Sequence, residues 1–134
     1  MRETAKELAI LQRLIDRSLK RTGPHMKAII HPGKYSLNAK QVVKLLDGMR
    51  TVAVAAPAPN GDPLVAPRDG WFLHGKFVFS SGGDSIRIKG LRKRARASIA
   101  YFEGEKFLIN AHGPVVLMFR KHYCGVREAH TPSR

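Results

Sequence analysis

Phe77-Val78-Phe79-Ser80-Ser81-Gly82-Gly83-Asp84-Ser85-Ile86-Arg87-Ile88 is the stretch on which the fold turns. Its first three residues are aromatic and β-branched, the composition of a strand. Ser80 to Asp84 then form a small polar loop with two glycines, and beyond it Ile88, Leu91 and Ala95 recur at the spacing of one helical face. Strand, glycine loop and helix in that order place unpaired backbone N–H groups and the positive end of a helix dipole beside two hydroxyl side chains. Such an arrangement receives a phosphate. Arg87 falls in the first helical turn and Lys89 just behind it, where a guanidinium offers an anion two parallel hydrogen bonds. The same residues have a plainer use, with Ser85 or Asp84 as helix N-cap and the glycines as a turn.

On both sides of this stretch the pattern is that of strands. Thr51, Val52 and Val54 lead through Pro57 to an Asn60-Gly61 turn and on to Leu64 and Val65, the pattern of a β-hairpin. Trp71, Phe72 and Leu73 turn at His74-Gly75 into Phe77 to Phe79. Downstream, Ser98–Phe102 and Lys106–Ala111 flank Glu103-Gly104 as a further hairpin, Val115–Phe119 extends the sheet, and the residues after His122 carry no clear period and read as a last short strand or a disordered tail. Before Arg50 the chain is helical. Leu8, Leu11, Leu14, Ile15 and Leu19 stripe one face of a helix over about residues 3–20, stopped by Gly23-Pro24. Residues 21–34 read as a connector with a short edge strand. Val42, Val43, Leu45 and Leu46 mark a second helix over 39–47, capped by Ser36 or Asn38 and closed by Gly48.

The chain has 134 residues, 43% of them apolar, enough for one closed core. The expected division is an N-terminal helical extension (1–48), a sheet domain (49–122) and a C-terminal tail (123–134), in an α+β class. Lys and Arg number 24 against 10 Asp and Glu, a formal charge of +14 that concentrates anionic ligands around the molecule. A lone cysteine, Cys124, forms no intrachain disulfide and suits a reducing, cytoplasmic setting. The charged N-terminus is no secretory leader, and no apolar run approaches the roughly 20 residues of a bilayer span.

Taken together, Gly75-Lys76-Phe77-Val78-Phe79-Ser80-Ser81, Ser85, Arg87, Leu91 and Ala97-Ser98-Ile99-Ala100-Tyr101 resemble the FMN-binding split-barrel group that includes pyridoxamine 5′-phosphate oxidase. The hairpin Thr51–Val54, Asn60-Gly61, Pro63–Pro67 is similar too, so the resemblance covers about residues 50–113. It implies an antiparallel split β-barrel with flanking helices, a homodimer, and FMN, or the deazaflavin F420, as a hydride or electron carrier for a small substrate. Carried over by position, it makes Ser81, Ser85 and Arg87 contacts to the cofactor phosphate, with Lys89 as helper and Ser80 among the cofactor-binding residues. Ala66, Pro67 and Arg68 fall where the family's barrel strand passes the ring and ribityl chain. The basic strand motif and the Arg- and Trp-bearing C-terminal segment of the vitamin B6 oxidases have no counterpart here. Pyridoxamine phosphate is therefore not the expected substrate, and no catalytic acid or base is assigned, since the cofactor itself carries the redox chemistry.

The rival use of so much charge is nucleic-acid binding without a cofactor, through Arg92, Lys93, Arg94 and Arg96 on the basic helix. A cofactor-less split barrel is the third reading. Phe77, Phe79, Tyr101 and Phe102 are expected in a core, not on a stacking surface. His112, His122, Cys124 and His130 fit no common zinc spacing and are read as incidental, with no metal.

Overall fold

The computed structural model describes residues 2–30, 35–119 and 126–132. Among these residues four helices, α1 (Ala5–Arg21), α2 (Pro24–Ile30), α3 (Ala39–Leu45) and α4 (Ile86–Lys93), accompany seven strands. The strands are β1 (Arg50–Pro57), β2 (Pro63–Leu73), β3 (Lys76–Gly82), β4 (Arg96–Glu103), β5 (Phe107–Pro114), β6 (Val116–Phe119) and β7 (Val126–Pro132). They form one sheet in the order β5-β4-β1-β2-β3-β7-β6, every ladder antiparallel. The chain is thus α+β with an antiparallel sheet and flanking helices. Among the described residues no ladder joins the edge strands β5 and β6, so the sheet is curled but not closed by hydrogen bonds.

The helix starts follow from capping chemistry. Thr4 and Glu7 form a reciprocal capping box at α1, and Asn38, not Ser36, does the same with Gln41 at α3. Residues 24–30, expected as a connector with an edge strand, are helical, because Pro24 occupies the first helical position where its fixed φ and missing N–H cost nothing. Residues 31–34 lie outside the described set. Leu11 of α1 and Ala39, Val42, Val43 and Leu46 of α3 enter the same core as the sheet. Gln12 ties the two helices by accepting from the Ala39 N–H at 2.8 Å. The N-terminal helices therefore share the sheet's core.

Three strand expectations change. Leu64–Val65 and Trp71–Leu73 belong to one eleven-residue strand, β2. The expected tight Asn60-Gly61 turn is a five-residue loop closed by Ala58 N–H to the Asp62 carbonyl at 2.8 Å, with Asn60 Oδ1 accepting from Asp62 N–H at 3.0 Å. This loop sets Pro57 opposite Pro63. Residues 126–132, grouped with the tail and read as a last short strand or disordered, form the strand β7, which inserts between β3 and β6. The turn at His74-Gly75 stands as expected, with φ of 53° and 76° at the two positions.

Val52, Val54, Phe77, Phe79, Ile88, Leu91 and Ile99 are almost wholly buried. Tyr101 is half-buried against Phe107, while Phe102 is 59% exposed, so only part of the expected aromatic core is core. Helix α4 ends at Lys93, and Ala95 lies beyond it, its carbonyl accepting from Val115 N–H. The helix lies backbone to backbone on the end of β1. A Cβ on Gly90 would overlap the Pro57 carbonyl oxygen and stand 3.1 Å from the Ala58 carbonyl carbon. Backbone cannot retreat as a side chain can. Gly90→Ala is therefore expected to destabilise the fold by about 3 kcal/mol or more. Gly23→Ala, with nothing within 4 Å of where the added methyl would stand, should change stability by no more than ~0.5 kcal/mol, both read by urea denaturation.

Candidate functional site

The site arises where the sheet divides. β2 and β3 pair from Leu73↔Lys76 to Gly70↔Phe79 and no further. Beyond that point β2 continues alongside β1, and Ser80, Ser81 and Gly82 of β3 continue alongside β7. Between the separated strands lies a cavity of about 370 Å³, lined by Thr51, Pro67, Arg68, Asp69, Ser80, Ser81 and Gly82. Gly70 stands at the fork, and the smallness of glycine matters there, since a Cβ would come within 2.8 Å of the buried Val52 side chain.

Helix α4 starts beside this cavity. Ser85 is its N-cap, its hydroxyl oxygen accepting from the Ile88 N–H at 3.2 Å. The same hydroxyl lies 3.1 Å from that of Ser81, which is 6% exposed. The capping role and the hydroxyl pair are thus compatible: the cap uses a lone pair on Ser85 and leaves its hydrogen for Ser81 or for a ligand.

Two arginines supply the charge. Arg87 is 6% exposed, and the Nε atoms of both Arg87 and Arg68 are buried without a hydrogen-bond partner. Burial away from water holds the Arg87 guanidinium below the ordinary arginine value, and the like charge of Arg68 pushes in the same direction. Arg87 remains charged at neutral pH all the same. Among the described residues no carboxylate lies within ion-pairing distance of either, although Asp69 lines the cavity. A buried and a half-buried guanidinium that repel each other, each with its Nε–H unmet, form a locus where an anion would be favoured.

Of the residues singled out by sequence, Ser80, Ser81, Pro67 and Arg68 line the cavity, and Ser85 and Arg87 stand behind it through the contacts above. Ala66 and Lys89 are outside the lining, Ala66 half-buried opposite Val54 and Lys89 exposed on α4. Asp84, a carboxylate near a phosphate loop, is exposed and also outside it. Thr51 and Asp69 are members that sequence reading missed. They face each other across β1 and β2. A two-residue Asn60-Gly61 turn would have set Thr51 opposite Gly70 instead, and a one-residue slip changes the face of every side chain. His112 is engaged with Ser98 at 2.7 Å. His122, Cys124 and the His130 side chain fall outside the described residues. No described helix is long and apolar enough to cross a membrane.

No protein-family model matches the chain, and a comparison with curated proteins gives no match. Similar folds occur among solved structures. A conserved hypothetical protein from Mycobacterium tuberculosis superposes with a TM-score of 0.62 at 14% identity, over 74% of this chain and 82% of that one. A protein of unknown function from Agrobacterium tumefaciens gives a TM-score of 0.57, also at 14% identity, over 69% of this chain. The matched region spans about half, 53%, of the Agrobacterium protein. At this identity the likeness is one of fold.

An anion entering the cavity relieves the repulsion between Arg68 and Arg87, so inorganic phosphate is expected to raise the melting temperature saturably, and chloride at equal ionic strength much less. Phosphate at 100 times its Kd adds about 2.7 kcal/mol. Arg87→Met should abolish this protection without lowering the stability of the phosphate-free protein, as differential scanning calorimetry would show.

Proposed function

We propose that the chain is a flavin-binding split-barrel protein that holds FMN, or in its place the deazaflavin F420, and uses it for hydride or electron transfer to a small substrate. The observation that carries this reading is a pair of guanidiniums with buried, unpartnered Nε atoms, Arg68 lining a cavity rich in hydroxyls and Arg87 buried behind it. A phosphate dianion supplies what they lack. Arg87, Arg68, Ser81 and Ser85 would hold the cofactor phosphate beside the start of α4, where the helix dipole favours negative charge. Ser80, Pro67 and Asp69 lie on the separated strands, which no longer pair with each other and so leave backbone groups for the rest of the cofactor. The bound flavin supplies the redox step, accepting or giving a hydride at its ring. The protein's part is to grip, orient and shield it.

The outer strands suit a second copy of the chain. Phe102 and Leu108 are cross-strand partners on β4 and β5, each more than half exposed, and Val65 is 71% exposed on β2. Apolar side chains presented in this way suit a homodimer interface. Nucleic acid is less well served. Phe77 and Phe79 are in the core, where no base can stack on them, and Arg94 of the basic segment donates to the Pro59 carbonyl at 3.2 Å.

After incubation with FMN or F420 and gel filtration, the protein is expected to retain the visible absorption of one of them. The Arg87→Ala, Ser85→Ala double variant should lose the colour while keeping its circular dichroism. A wild-type protein that emerges colourless from both incubations defeats this reading, and a variant that stays coloured defeats the assignment of the phosphate site.

A further inference from the structure

A second cavity, of about 310 Å³, lies between the N-terminal segment, α3 and the end of β2. It shares no lining residue with the first. Val43, Phe72 and Leu73 give it an apolar wall, and Trp71 adds the flat face of an indole. Arg2, Lys40 and Lys44 bring three cations to it, against the carboxylates of Glu3 and Asp47.

Glu3 is the unusual member. It precedes the α1 cap, where a solvated side chain would be expected, yet it is only 9% exposed and its Oε1 is buried with no hydrogen-bond partner. None of the three cations comes within ion-pairing distance of it among the described residues. A buried acceptor left unmet costs about 1–3 kcal/mol, and more for a charged group. A ligand that donates a hydrogen bond to Glu3 recovers that cost.

We propose that this cavity is a second ligand site, taking a small heteroaromatic acid whose ring lies against Trp71 and the apolar wall, whose ring N–H donates to Glu3, and whose acid group faces Arg2, Lys40 and Lys44. Each part of the ligand answers a part of the lining. The volume is at the lower end of small-molecule sites, which suits a ligand of one or two fused rings. Nothing in the assignment depends on a flavin at the first site.

Indole-5-carboxylate carries the ring, the N–H and the acid at opposite ends. Benzofuran-5-carboxylate has the same shape with an oxygen in place of the N–H, and indole lacks the acid. Titration calorimetry of the full chain is expected to show saturable binding of indole-5-carboxylate, with benzofuran-5-carboxylate and indole each about tenfold weaker or more. In Glu3→Ala the two acids should bind alike. Lys40→Ala, Lys44→Ala should weaken indole-5-carboxylate about tenfold while leaving indole unchanged. Equal binding of the two acids by the wild type, absence of saturable binding, or discrimination that survives in Glu3→Ala overturns the proposal.

Discussion

The contact between the backbone of α4 at Gly90 and the backbone of β1 at Pro57 is the constraint from which the site follows. Two main chains this close leave no space for a side chain, so α4 has one seating on the sheet. Ile88 and Leu91 then fall into the core with no accessible surface, and Ser85 is brought to Ser81. Arg87 is carried inward with them, although a guanidinium gains nothing from that burial alone. The apolar contacts of its helical neighbours offset the cost.

The second condition is the fork at Gly70 and Phe79. A sheet whose ladders ran on unbroken would have no cavity at this point, and Arg68 would have no opening to face. Because β3 is paired with β7 along its whole length, β2 separates from it without leaving β3 unpaired. The same division exposes Arg68 and Arg87 to one another. Their repulsion adds to the cost of burying Arg87, a local strain of the kind found at functional sites.

Much of this was legible beforehand, for local reasons. The strand ending at Ser80-Ser81, the glycine loop and the helix start at Ser85 are decided by side-chain size, hydroxyl capping and hydrophobic period within a dozen residues. Asn38 was one of two cap residues that composition offered for α3, and it forms a capping box there. Less local features were misread. Pro24 reads from sequence as the stop of α1, whereas it opens α2, whose described side chains are exposed and whose start is set by the proline itself. The turn at Asn60-Gly61 fits a tight hairpin by composition, whereas the paired prolines at 57 and 63 and the Asn60–Asp62 bonds hold a wider loop. Gly90, mid-helix and costly to helix propensity, was the signal that went unused.

The sequence by itself determined the class of the fold, the strand–loop–helix element, the excess positive charge and most of the residues that gather at the cavity. These depend on residue type and on contacts a few positions apart. Tertiary structure alone decided that β7 joins the sheet, that Thr51 stands opposite Asp69, that Arg68 meets Arg87 without a carboxylate, and that Glu3 is buried. Those outcomes depend on register and on groups distant in the chain, and their energies exist only once the core has closed around them.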